Sequence, residues 1–241
     1  MRLVLWDIDH TLIATRGMGQ ELSAIAFEQV TGRQMVTQAK VDGITEPVIF
    51  RETARLHGLS TDRADFERFA AALTRLHVDR APELRRRGHA LAGAAAALDV
   101  LAAQPHVTQA VLTGNVRGVA EVKLATFGLD RHIEWELGAY GEDADVRAEL
   151  VTIALKRASA AAGRRITPAG ALIIGDTTAD VEAGRRSGVR VIAVATGSSS
   201  ADELREVGAG TVLPNLLDTD LLVELILSDN AHLGRDGRPC H

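Results

Sequence analysis

Residues 3–11 read Leu-Val-Leu-Trp-Asp-Ile-Asp-His-Thr, a run of four apolar positions that passes straight into two carboxylates one residue apart. So short an apolar run, bounded by polar residues, has the length of a buried strand and not of an amphipathic helix. It predicts a strand covered on both faces whose carboxyl end presents Asp7 and Asp9.

Similar runs recur at 110–113, 171–174 and 189–195, each entering Gly, Asp, Thr or Ser positions. Between them lie segments of helical period, 116–127 closed by Gly128 and 150–162 closed by Gly163, where glycine suits the left-handed residue that ends a helix. Alternating strands and helices imply an α/β fold with a doubly wound parallel sheet. Its core takes in 1–14 and 90–241. Residues 15–89 break the rhythm: they are rich in Ala, Leu, Arg and Glu, show helical spacing throughout and contain no strand signal. They predict an inserted α-helical subdomain with helices at 20–31, 46–57 and 63–78, stopped by Gly32 and Gly58. The polar residues 230–241 read as a frayed tail.

Composition narrows the function classes. A net charge of −5 offers no electrostatic attraction to a nucleic-acid backbone, and the clusters Arg85-Arg86-Arg87 and Arg185-Arg186 are short enough to be solvated helix faces. Aromatics make up 3% of the 241 residues, which argues against a base-stacking platform. The single cysteine, Cys240, permits no intramolecular disulfide, and no apolar run approaches the length of a membrane span. These features fit a cytoplasmic protein that binds neither nucleic acid nor membrane.

In such sheets the ligand crevice lies beyond the carboxyl ends of the strands. Three exits carry polar groups: Asp7 to Thr11, Thr113-Gly114-Asn115, and Gly175-Asp176-Thr177-Thr178-Ala179-Asp180. An Asp-x-Asp pair alone is as consistent with a turn or a helix cap. Four carboxylates from two distant segments, however, repel one another unless a cation intervenes, and an all-oxygen set favours a hard ion such as Mg²⁺. Phosphoryl transfer is the chemistry that follows.

In this order and strand context, DIDHT, TGN and GDTTAD resemble motifs I, II and IV of the haloacid dehalogenase superfamily, and the helical segment after motif I is similar to the C1-type cap of its phosphoglycolate phosphatase-like members. The resemblance implies a Mg²⁺-dependent phosphohydrolase that cleaves a small phosphorylated metabolite. Asp7 would be the nucleophile and Asp9 the general acid/base. Thr113 would bind the transferring phosphoryl group, with Gly114 and Asn115 completing the phosphate cradle. Asp7, the backbone carbonyl of Asp9, Asp176 and Asp180 would hold the metal. The family's lysine that neutralises the nucleophile has no Lys-Pro counterpart before motif IV; Lys123 is the substitute this resemblance suggests, with Arg147 as runner-up. His10 departs from the glycine common at its position. The carboxylate at position 9 favours a phosphate ester over a halogenated substrate.

In the helical segment, Gly43-Ile44-Thr45-Glu46 resembles the cap specificity loop, with Thr45 equally placed to cap a helix or to meet substrate. Arg16 and Arg51 are candidate anion contacts. A phosphomutase of the same fold is the alternative enzyme, and a non-catalytic scaffold the alternative outside enzymology. The chain is compatible with a monomer or a homodimer.

Overall fold

A computed structural model describes residues 1–228 of the chain. Both the tail at 230–241 and Cys240 lie outside the described residues. The first strand, β1 (Arg2–Trp6), leads through a tight loop into β2 (Ile13–Ala14). Four helices follow: α1 (Met18–Thr31), α2 (Glu46–Leu56), α3 (Arg63–Asp79) and α4 (Ala81–Arg87). The chain returns through β3 (His89–Ala90), α5 (Ala94–Ala102), β4 (Val107–Val111) and α6 (Arg117–Thr126). It then forms α7 (Arg147–Ala161), β5 (Ala171–Gly175), α8 (Thr178–Ser187), β6 (Arg190–Val194), α9 (Ala201–Glu206), β7 (Val212–Leu213) and α10 (Thr219–Leu227).

The main sheet is parallel, in the order β4-β1-β5-β6-β7. Because side chains alternate along a strand, β1 buries Val4 and Trp6 with α5, α6 and α10 on one face, and Leu3 and Leu5 with α7, α8 and α9 on the other. That two-sided burial is why the strands read as unbroken apolar runs. β4 begins three residues before the apolar run at 110–113 because polar Gln109 is also inside, where its amide accepts from Trp6 Nε1 at 3.0 Å and donates to the Leu98 carbonyl at 2.9 Å. Thr113 has left the ladder and donates its N–H to the Ala139 carbonyl instead.

Helices α1 to α4 run between the two strands of a small antiparallel ribbon in which Ile13 pairs with Ala90 and Ala14 with His89. Two-residue strands leave no periodic signal, so the sequence did not announce this ribbon. Their shared core of Phe27, Phe50, Phe66 and Phe69 also takes in Val116, the N-cap residue of α6, and Val119 in its first turn. These four phenylalanines are therefore packing residues, with Phe50 stacked on Phe69 at 4.6 Å.

Candidate active site

The chain leaves β1 toward β4 on one side and later fills β5 on the other, so the strand order reverses at β1 and a crevice opens above its carboxyl end. Asp7 is the first residue there, and its N–H donates to the Ile174 carbonyl at 2.8 Å. The following loop folds back on itself, with Leu12 N–H on the Ile8 carbonyl and His10 N–H on the Ile13 carbonyl. His10 has φ 61°, in the left-handed region that glycine enters freely, and its side chain is exposed. The turn thus places a histidine in a backbone conformation that favours glycine.

Carboxylate oxygens of Asp7, Asp176 and Asp180 lie within 4.8 Å of one another, and all three residues are buried. Arg147, the first residue of α7, reaches into this group: its Nη2 donates to Asp7 Oδ1 at 2.6 Å and its Nε to Asp180 Oδ1 at 2.9 Å. Burial pushes the Asp7 carboxyl well above its ordinary range, against the pull of Arg147 and with the push of the other acids. Asp176 is pushed up to about 7 by burial and by Asp180, while a hydrogen bond from Thr11 Oγ1 at 3.0 Å works the other way.

Three carboxylates against one guanidinium leave two negative charges in a buried site of oxygen donors, which fits a hard divalent cation. Asp180 is the most constrained of the three, since its second oxygen accepts the Thr177 hydroxyl at 2.6 Å and the Thr177 N–H at 3.1 Å. The second of these bonds is half of a capping box at the start of α8, so the same Thr-x-x-Asp spacing that begins the helix also fixes the carboxylate. Gly197, unremarkable in the sequence, proves necessary for space: a Cβ there would stand 1.7 Å from Asp176 Oδ2.

A second polar group forms around Asp9. Lys123 Nζ donates to both Asp9 oxygens, at 2.8 and 2.7 Å, and to Asn115 Oδ1 at 2.8 Å. Asn115 Nδ2 in turn donates to Asp9 Oδ2 at 2.7 Å and to Thr113 Oγ1 at 2.8 Å. Burial tends to raise the Asp9 carboxyl, but Lys123 and Asn115 outweigh it and the net shift is downward. Thr113 Oγ1 also accepts the Asn115 N–H at 3.2 Å, so both its lone pairs are used and its proton is left to donate. Two expectations change at this point. Lys123, expected at the nucleophile, sits on Asp9 because a residue two turns into α6 projects over the Asp9 loop; Arg147 is the cation on Asp7.

Both groups open into one cavity of about 590 Å³ whose other wall comes from the helical segment. Gly114 is in that wall's path, its carbonyl accepting the Glu46 N–H at 2.9 Å. Thr45 is the N-cap residue of α2, its carbonyl accepting the Val48 and Ile49 N–H groups, but its side chain makes no capping bond and does not line the cavity: it is fully buried, and its hydroxyl donates to the Asp145 carbonyl at 3.0 Å. Glu46, its neighbour, lines the cavity instead, together with His77 of α3. Neither was singled out in the sequence, because which face a helical residue presents is decided by packing. Arg16 and Arg51 are not among the lining residues, and Arg51 pairs with Asp145 at 3.0 Å.

The model of the haloacid dehalogenase-like hydrolase family matches residues 4–185, which include all three strand exits. The chain belongs to this family. No curated protein matches it. Among solved structures, a hydrolase from Pseudomonas syringae is 20% identical with a TM-score of 0.67, covering 95% of this chain and 100% of that one. A predicted phosphatase from Clostridium acetobutylicum is 18% identical (TM-score 0.63; 94% of this chain, 98% of that one). A predicted phosphoglycolate phosphatase from Haemophilus somnus is 15% identical (TM-score 0.60; 92% and 98%). At these identities the likeness establishes a common fold for this haloacid dehalogenase-like hydrolase. No helix among its described residues is long and apolar enough to cross a membrane.

Proposed function

We propose that this protein is a Mg²⁺-dependent phosphohydrolase that cleaves a small phosphomonoester through an aspartyl-phosphate on Asp7. The observation that carries the reading is the separate pairing of two carboxylates in one cavity, Asp7 with Arg147 and Asp9 with Lys123. Such pairing gives neighbouring acids different proton affinities, which is what a nucleophile and an acid/base need.

Asp7, Asp176 and the Asp9 carbonyl would hold the metal, with Asp180 supporting them. When bound, Mg²⁺ neutralises charge on the transferring phosphoryl group. Arg147 pulls Asp7 toward the anionic form that burial opposes. A carboxylate oxygen of Asp7 attacks phosphorus, the bond from phosphorus to the ester oxygen breaks, and Asp9 delivers its proton to the departing alkoxide. The Asp9 proton is acquired in the complex, because the incoming phosphate's negative charge raises the carboxyl's proton affinity against Lys123. Asp9, now ionised and held so by Lys123, takes a proton from water; the water oxygen attacks phosphorus, releasing inorganic phosphate and restoring Asp7. Thr113 Oγ1 and the Asn115 region donate to the phosphoryl oxygens throughout. Helices α1 to α4 act as the cap that excludes bulk water.

The test is phosphate release from small phosphomonoesters with and without Mg²⁺, in the native protein and in Asp7→Asn. Magnesium-dependent release that this substitution abolishes supports the assignment. Transfer of phosphate to a sugar phosphate with no release to water would point to the mutase, and absence of both would sink the enzymatic reading.

A further inference from the structure

Three kinds of side chain line the cavity above Asp9: the acid Glu46, the imidazole His77 and the apolar residues Ile49, Leu73 and Val119. Glu46 is the first residue of α2, pinned by its own N–H to the Gly114 carbonyl, and only 9% exposed. No hydrogen bond or ion pair reaches its carboxylate among the described residues. Yet no buried side-chain oxygen or nitrogen there is left without a partner, so the Glu46 oxygens are not sealed off but open onto the cavity. His77 is buried more deeply still, and its Nδ1 lies 2.9 Å from the Leu73 carbonyl. A carbonyl only accepts, so Nδ1 carries the proton and Nε2 faces the cavity as a lone-pair acceptor. Burial and the Lys123 ammonium hold the ring neutral, lowering it to about 4.

The cations that line this space are committed elsewhere. Arg147 is spent on Asp7 and Asp180, and all three Lys123 donors go to Asp9 and Asn115. Lys40 is exposed, where a point charge in water contributes little. A carboxylate on the substrate would therefore meet Glu46 and Asp9 with no free buried cation to receive it. An ammonium fares little better, since the field of Lys123 already opposes a proton on His77.

Resting on the phosphohydrolase reading, we propose that Glu46 and His77 form the leaving-group subsite and select a neutral, hydroxyl-bearing alcohol, a polyol or sugar phosphate, over a phosphorylated hydroxy acid. Hydroxyls donate to the Glu46 oxygens and to His77 Nε2, while the carbon skeleton lies on Ile49, Leu73 and Val119. Burial pushes the Glu46 carboxyl up to about 7, against the pull of Lys123, so above that pH it is ionised and like-charge repulsion supplies the rejection.

Two matched pairs, compared at pH 8 for this reason, test the subsite, differing only in a terminal CH₂OH or carboxylate: glycerol 3-phosphate against 3-phosphoglycerate, and sorbitol 6-phosphate against 6-phosphogluconate, with p-nitrophenyl phosphate as a generic ester. The expected result is a kcat/KM at least about tenfold higher for the polyol in each pair, narrowing to about threefold or less in Glu46→Gln, chiefly because the acid improves. Acids hydrolysed as well as polyols by the native protein overturn the subsite, as does a preference that Glu46→Gln leaves unchanged. Turnover of p-nitrophenyl phosphate with none of the four metabolite esters overturns it as well. No release from any of the five esters instead overturns the phosphohydrolase reading and the subsite with it.

Discussion

Arg147 Nη2 stands 2.6 Å from Asp7 Oδ1, and the two side chains are 7% and 9% exposed. An ion pair this dry is sustained by its geometry, because neither partner has water to fall back on. Arg147 further donates to Asp180 and to the Leu112 carbonyl, so one guanidinium ties together the ends of β1 and β4 and the start of α8.

Replacing it should be costly in two separable ways. In Arg147→Met the buried acids lose the one permanent counter-charge that pairs with them among the described residues, and the metal-free protein should lose about 3–5 kcal/mol of stability. Arg147→Lys keeps the charge but lacks the planar fork that spans two carboxylates, so it should retain more stability than Met while phosphate release still falls by about 100-fold or more. Denaturant melts without metal, set beside initial rates with it, separate the effects. A lysine variant with full activity would mean that a point charge beside Asp7 suffices and that the forked geometry has no part in turnover.

Lys123 answers to a different measurement. Its ammonium and Asn115 depress the Asp9 carboxyl against the effect of burial. In Lys123→Met burial is opposed only by Asn115 and the smaller pull of His10, and the Asp9 pKa rises. The group must be ionised to activate water, so the acidic limb of the pH–rate profile should move to higher pH by about one unit or more. An acidic limb that stays in place would detach Lys123 from Asp9.

How much of the site is legible in the sequence depends on what fixes each position. The parallel ladder sets where β1, β4 and β5 end, and Asp7, Thr113 and Asp176 sit at those ends; residues at strand exits are therefore legible from apolar runs alone. Asp180 is legible for a related reason, as the third helical residue of a Thr-x-x-Asp capping box. Arg147 and Lys123 are not separable, because the choice turns on which helix start approaches which loop across more than a hundred residues of chain. Glu46 and His77 stay hidden since helical period says which residues share a face but not what that face meets. Gly197 gives no signal at all: its importance is the absence of an atom beside a carboxylate that only the fold brings there.

The pH dependence of metal-free stability follows from Asp176, raised to about 7 in the folded protein. The folded state holds this proton more tightly than the unfolded chain does, so between the ordinary carboxylate pKa and about 7 the unfolded state binds fewer protons and stability falls as pH rises. Magnesium binds the ionised form and reverses the loss. The increase in Tm caused by Mg²⁺ should therefore be small at pH 5 and grow toward pH 8. Melting curves at matched ionic strength check this; a Mg²⁺ effect independent of pH would dissociate the ion from Asp176.

Gly197→Ala isolates the space beside Asp176. The glycine does not occupy a left-handed conformation, so alanine meets no backbone objection there, only the contact of 1.7 Å between its Cβ and Asp176 Oδ2. Asp176 cannot yield freely, because Thr11 holds its other oxygen at 3.0 Å from below. The carboxylate should rotate away from Asp7, and the variant should keep its fold while losing most of the Tm increase that Mg²⁺ gives the native protein. Circular dichroism establishes the fold and melts with and without Mg²⁺ report the site. Asp176→Ala is the comparison that gives the result its meaning: if Gly197→Ala binds metal like the native protein while Asp176→Ala does not, Asp176 is a ligand that tolerates displacement, and the gap beside it has no part in the metal centre.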